Sequence, residues 1–170
     1  MEFHHSERGF TILELLITVG TVTLIAGAII SGIFMVFNIS GRSGNHLVVV
    51  RQVQNAGYWI SLDAQMADNV TTTGLSSPQL LQLGWTDWDG STYLAKYSLQ
   101  GGKLSRQYFI NQNDSGTLVV AESIDANPSQ TSANFTAGKL ILTVTARVGL
   151  GARQQSETRI YEITSRTLGQ

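Results

Sequence analysis

Residues 15–37 hold no charged side chain, a run of 23 apolar and small residues. At about 1.5 Å per residue, a helix of that length crosses a hydrocarbon core of roughly 30 Å. No other stretch of the chain constrains its fold as strongly. The apolar character begins at Phe10, and a single carboxylate, Glu14, interrupts it four residues later. An ionised carboxylate in lipid costs at least ~2.5 kcal/mol even on the gentler insertion scales, so a residue of this kind needs a partner. Glu14 is therefore read as functional.

A secretory signal peptide places a basic region before a short apolar core and a small-residue cleavage site after it. Here the polar head 1–9 ends in Arg8-Gly9, and no A-x-A site follows Phe37. Cleavage, if it occurs, is expected before the apolar run, which then stays in the product. The stretch Gly9-Phe10-Thr11-Ile12-Leu13-Glu14-Leu15 resembles the prepilin peptidase site of the type IV pilin superfamily, which includes pilins, type II secretion pseudopilins and competence pseudopilins. The resemblance implies that Gly9 closes the leader, Phe10 opens the mature chain and Glu14 is the glutamate at the fifth mature position. A plain membrane anchor with Glu14 snorkelling to the headgroups is the competing reading. That reading leaves Gly9-Phe10 unexplained. The head carries Glu2 and Glu7 against Arg8, so charge alone gives little orientation signal, and orientation rests on the resemblance.

The remaining residues suffice for one globular domain of about 100 residues. The 11 basic and 12 acidic residues are scattered, with a net charge of -1 and no electrostatic stripe suited to nucleic acid. The absence of cysteine removes thiol chemistry and disulfides, so the domain must hold by packing. After the apolar run, Gly41 and Gly44 in 38–45 predict a softened joint, since each glycine costs about 1 kcal/mol in a helix. From Leu47 onward Val49, Val53, Ala56, Ile60 and Ala67 recur at helical spacing. Val50, Tyr58, Trp59, Leu62 and Met66 are expected to widen that apolar face. The reading is one helix over 10–69, its first half a membrane anchor and its second half the spine of the domain.

From Thr71 the texture changes to β-prone runs between Gly, Asn, Asp and Ser clusters. Strands are expected at 80–85, 92–99, 104–110, 118–123, 139–148 and 159–165. Turns are expected at Asp89-Gly90, at Gly101-Gly102 and over 114–116, with a surface loop at 127–133. The fold class is thus α+β, a long N-terminal helix packed on a C-terminal antiparallel sheet, as in pilins. Three segments follow: a leader at 1–9, a transmembrane and filament-core helix at 10–38, and a globular domain at 39–170. The strand Tyr97-Ser98-Leu99, the Gly101-Gly102 turn and Lys103-Leu104-Ser105-Arg106 are similar to J-type minor pseudopilins and W-type minor pilins.

No catalytic constellation emerges. His4 and His5 lie in the head and His46 at the joint, which leaves the β region without histidine for a triad or a His-rich metal site. Asp63, Asp68, Asp87, Asp89 and Asp114 read as solvated surface charges. Asp87 and Asp89 have the D-x-D-G texture of a calcium-loop start, but the further ligands are missing and a tight hairpin is the simpler reading. Trp85, Trp88 and Tyr93 form an aromatic cluster around this turn, expected to serve the core, with a binding patch as the alternative reading. Sequons at Asn38, Asn69, Asn113 and Asn134 matter only in a glycosylating pathway.

The resemblance implies assembly rather than enzymatic activity, and no cofactor. Prepilin peptidase cuts between Gly9 and Phe10 and typically methylates the new amine. Glu14 then pairs with the Phe10 amine of a neighbouring subunit, each charge offsetting the other's desolvation. The small residues Gly20, Ala26, Gly27, Ala28 and Gly32 allow close helix approach. The implied partners are the peptidase, other pilin or pseudopilin subunits and the inner-membrane assembly platform. The implied location is the bacterial cytoplasmic membrane, single-pass, with the C-terminal domain outside the cytoplasm, and a cell-surface or periplasmic filament after assembly. An adhesin or DNA-uptake minor pilin and a membrane-tethered enzyme are the alternatives.

Overall fold

The computed structural model describes residues 11–166, so Gly9 and Phe10 lie outside the described residues. The element order is α1 (Ile12–Met66), β1 (Asn69–Thr71), β2 (Gln79–Thr86), β3 (Thr92–Gln100), β4 (Lys103–Ile110), β5 (Asn113–Ala121), β6 (Ser132–Thr136), β7 (Lys139–Val148) and β8 (Gln155–Thr164). The chain divides into two compact units, one ending at Gly41 and one beginning at Arg42.

In the first unit α1 begins one residue after Thr11, whose Oγ1 accepts the Glu14 N–H at 3.3 Å. Thr-x-x-Glu is a capping-box spacing, so Thr11 satisfies one of the amides that a helix start leaves unpaired. The helix then runs through Gly41 and Gly44 without interruption, in keeping with the single helix expected over 10–69. Two separated glycines cost about 2 kcal/mol, too little to end a helix flanked by strong apolar turns. Every described residue up to Ser40 is exposed. The segment is long and apolar enough to cross a membrane. Its hydroxyls are satisfied within the helix: Thr18 donates to the Glu14 carbonyl at 2.7 Å, Thr21 to Ile17 at 2.9 Å, Thr23 to Val19 at 3.0 Å and Ser31 to Gly27 at 2.9 Å. In lipid, where water cannot serve, this back-bonding lets Thr and Ser sit on any face of the helix.

In the second unit Val49, Val53, Ala56, Ile60 and Ala64 form the buried stripe of α1, and Ala67 extends it. The stripe is narrower than expected. Tyr58, Leu62 and Met66 are exposed at 63%, 41% and 37%, because the sheets cover the helix from one side and leave the opposite arc open. Five strands form an antiparallel meander in the order β1-β2-β3-β4-β5, and a second antiparallel sheet has the order β6-β7-β8. The meander contributes Leu81, Leu83, Ala95, Tyr97 and Leu104 to the core, and the smaller sheet contributes Leu140, Leu142, Val144, Ala146 and Ile163. The alternation expected along 140–148 is observed as far as Ala146. Thr145, on the other face, is also buried, its hydroxyl donating to the Gln130 carbonyl at 2.7 Å.

Three strand boundaries differ from the sequence reading. The turn expected over 114–116 lies instead at Asn111-Gln112, both left-handed with φ of 48° and 67°, as a two-residue hairpin loop requires. Gly116, with φ of 118°, then sits at a bulge inside β5. The strand expected at 118–123 therefore begins at Asn113, and β8 begins at Gln155 rather than 159. The short β1 was not anticipated, and β6 begins inside the expected 127–133 loop.

One close approach ties α1 to the smaller sheet. The Tyr161 hydroxyl donates to the Val53 carbonyl at 2.9 Å, and its ring occupies the space where a Cβ on Gly57 would stand. Alanine ordinarily favours a helix interior over glycine by about 1 kcal/mol. Here overpacking against Tyr161 should win, and Gly57→Ala is expected to destabilise the domain by roughly 1–3 kcal/mol in urea unfolding. A more stable variant would show that the ring moves aside freely.

Candidate functional site

The features that bear on function fall at two places in the chain, the start of α1 and the helix–sheet contact around Asp63. At the start, Glu14 is exposed in the first turn, where the positive end of the helix dipole favours a carboxylate. Its neighbours Ile12, Leu13, Leu15, Leu16 and Ile17 are all large, apolar and at least 60% exposed. The cap engages only the Glu14 backbone amide. The charge that Glu14 brings is thus set among apolar side chains.

Asp63 is a buried charge, and its partners are internal. Its position, three residues after Ile60 and four before Ala67, places it on the buried stripe. Arg106 of β4 meets it bidentately, Nε to Oδ2 at 2.7 Å and Nη2 to Oδ1 at 2.9 Å, and the Tyr97 hydroxyl of β3 donates to Oδ2 at 2.5 Å. The side chains of Asp63 and Arg106 are 1% and 13% exposed. The expectation of a solvated surface charge is overturned for Asp63. Burial by itself would lower the Arg106 pKa, but the hydrogen bond and charge of Asp63 outweigh it and raise it. Burial first, and then the Asp63 charge, push the Tyr97 phenol far above its ordinary value, so it stays a donor. The Arg106 guanidinium also lies 4.2 Å from the Tyr108 ring centroid and 5.5 Å from that of Trp59, a cation–π arrangement. The bidentate fork and the stacking make this a latch between α1 and the meander.

The other carboxylates close local structure. Asp68 Oδ2 accepts the Thr86 amide at 3.0 Å. Asp87 Oδ1 accepts the Trp88 amide at 2.8 Å, and Asp89, the other weak calcium candidate, accepts the amide and hydroxyl of Ser91 at 2.8 and 3.0 Å, bonds that shape their own hairpin. Exposed Asp114 accepts from the Gly116 amide and the Gln107 side chain, which hold its carboxyl below the usual range. Among the described residues no group of three or more His, Asp or Glu side chains is placed to hold a metal.

The expected aromatic cluster is partly recomposed. Trp85 stacks on Tyr93 with centroids 5.5 Å apart, and Tyr108 joins both. Trp88 is 94% exposed at the hairpin tip, so it takes no part in the core. A cleft of about 310 Å³, with Leu75, Pro78, Leu80, Leu99 and Pro128 in its walls, is lined by no ionisable group. The chain matches no family model, no curated protein and no solved structure.

The Asp63–Arg106 latch had a legible but unused signal, a carboxylate in register with the apolar stripe. Arg106→Met leaves Asp63 buried without its counter-charge and should cost about 3–5 kcal/mol in denaturant unfolding. The double change Asp63→Leu with Arg106→Met should recover most of that loss. A double variant as unstable as the single one would contradict the assignment of the loss to the stranded charge.

Proposed function

We propose that this chain is a minor subunit of a pilin-type filament, a pseudopilin of a type II secretion system or a minor type IV pilin. In this reading prepilin peptidase cuts between Gly9 and Phe10, and the mature chain stays in the cytoplasmic membrane through residues 10–38. An assembly platform then draws it into a filament whose core is built of such helices. The observation that carries the reading is Glu14, a carboxylate among exposed apolar residues, four residues after Phe10 of the Gly9-Phe10 pair. The amine released at Phe10 supplies the positive charge that Glu14 lacks, in a neighbouring subunit, and pairing fixes the axial register of one helix against the next. The α+β domain beginning near Arg42 supplies the surface contacts with other subunits.

The exposed Trp88 favours a second, compatible reading, in which the hairpin tip binds a ligand as an adhesin would. That role leaves assembly untouched.

Glu14→Ala keeps the backbone amide that Thr11 caps, so helix and domain should fold as before. Incorporation into filaments should fall by an order of magnitude or more, the consequence of stranding one member of a desolvated pair. Full-length protein, expressed with its assembly apparatus and quantified in sheared filaments, gives the readout. Trp88→Ala should incorporate normally. Normal incorporation of Glu14→Ala would rule out the pairing.

A further inference from the structure

The two sheets end in β1, β5, β6 and β8. A free edge is a row of unpaired backbone N–H and C=O groups, and folded domains blunt it by shortness, bulges, lysine or proline. β1 and β6 are blunted by length, at 3 and 5 residues. β5 carries Gly116, and its pairing with β4 shifts register between Leu104 and Ser105 and again between Tyr108 and Phe109. β8 has none of these devices. It is 10 residues long, pairs with β7 from Gln155 to Thr164 without a shift, and contains no glycine, proline or lysine. Among the described residues no strand lies on its outer side.

That outer side borders a groove of about 550 Å³, walled by Ser61 and Gln65 of α1 and by residues 160–164 of β8. Consecutive residues line one groove only along a strand's edge, because alternate side chains leave on opposite faces. A groove between a strand edge and a helix is the shape that takes up an extended segment as an added strand, with main-chain hydrogen bonds giving the affinity.

The sequence of β8 fits a second β8. Run antiparallel with Ile160 opposite Ile160, the two strands set Arg159 opposite Tyr161, Glu157 opposite Ile163 and Thr158 opposite Glu162. No like charges meet, and the guanidinium comes beside a ring. Ile160, 65% exposed on the face turned from the core, gains an apolar neighbour. Glu157 shares its face with Ile163, since both pair with the core-lining residues Ala146 and Leu140 of β7. It therefore arrives on the side of Ser61 and Gln65, whose side chains can donate to a carboxylate. Centring the pair on Arg159 instead would oppose two like charges.

We infer that two copies of the domain join edge to edge through β8, antiparallel, with Ile160 facing Ile160 across a two-fold axis, so that their smaller sheets become one. The interface is isologous and closes on itself. It stands on the domain alone and does not rest on the filament reading.

The test uses the full chain in detergent micelles. Because the chain has no cysteine, single cysteines report the register. Residues directly opposite lie about 4.5–5.5 Å apart between Cα atoms, within reach of a disulfide. Ile160→Cys should therefore give a covalent dimer on mild oxidation. Thr158→Cys and Glu162→Cys should each fail alone, with roughly 13–14 Å between equivalent residues, and should cross-link when the two variants are mixed. Thr117→Cys, exposed on β5, should not cross-link. Without cysteines, sedimentation should show a reversible dimer, weakened roughly tenfold by Ile160→Lys, which sets two like charges opposite each other. Cross-linking of Thr117→Cys as fast as Ile160→Cys would overturn the interface as random collision. Cross-linking of Thr158→Cys with itself would overturn the register. A chain that stays monomeric, or a dimer that Ile160→Lys leaves unchanged, would overturn the pairing and leave the filament reading as it was.

Discussion

Uncovered apolar surface is the constraint on which the rest of the structure depends. From Thr11 to Ser40 no side chain is buried within the chain itself, and large residues such as Ile12, Leu24 and Phe34 are 81%, 76% and 66% exposed. Covering a side chain of that size is worth about 1.5–3 kcal/mol, so a helix bearing so many of them must find lipid or other apolar helices. Its threonines and Ser31 bond back to their own helix and need nothing from outside. Glu14 is different. Its carboxylate is a charge that neither lipid nor a helix of aliphatic side chains would satisfy.

The same helix changes character past Gly41. Beyond that point the apolar residues gather on one stripe and the fold uses them to seat two sheets. Non-directional packing of Val49, Val53, Ala56 and Ile60 would tolerate sliding and rotation. Two directional contacts remove that freedom: the Asp63–Arg106 fork on the meander and the Tyr161 hydroxyl on the Val53 carbonyl beside Gly57 on the smaller sheet. A domain without disulfides gains its fixed register from these contacts.

Much of this architecture was legible because it follows from periodicity. The apolar run, the stripe from Val49 to Ala67, the alternation through Ala146 and the Gly101-Gly102 turn each obey a single local rule. What escaped notice needed longer-range information. Asn111-Gln112 lacks the glycine that usually marks a two-residue hairpin loop, so Asp114 to Gly116 looked like the better turn. The pairing of Ile110 with Asn113 decides otherwise. β1 and β6 are too short to show a period and form because β2 and β7 offer them an edge. Tyr58, Leu62 and Met66 are apolar enough to suggest burial, but only the placement of the sheets shows which arc stays open. Asp63 could have been found, as a charge in phase with the stripe, although its partner Arg106 lies across a sheet that no local pattern fixes. Gly9 and Phe10 were read from sequence alone and remain outside the described residues.

The central claim is that the apolar helix becomes the amino-terminal segment of a processed filament subunit, with Glu14 facing a newly made amine. Mass spectrometry of the amino terminus, on protein purified from its native envelope, tests it most directly. The account predicts a mature chain beginning at Phe10 with a methylated amine. A chain that still carries Gly9 and the residues before it, in cells with active prepilin peptidase, would contradict the account and leave Glu14 without its partner.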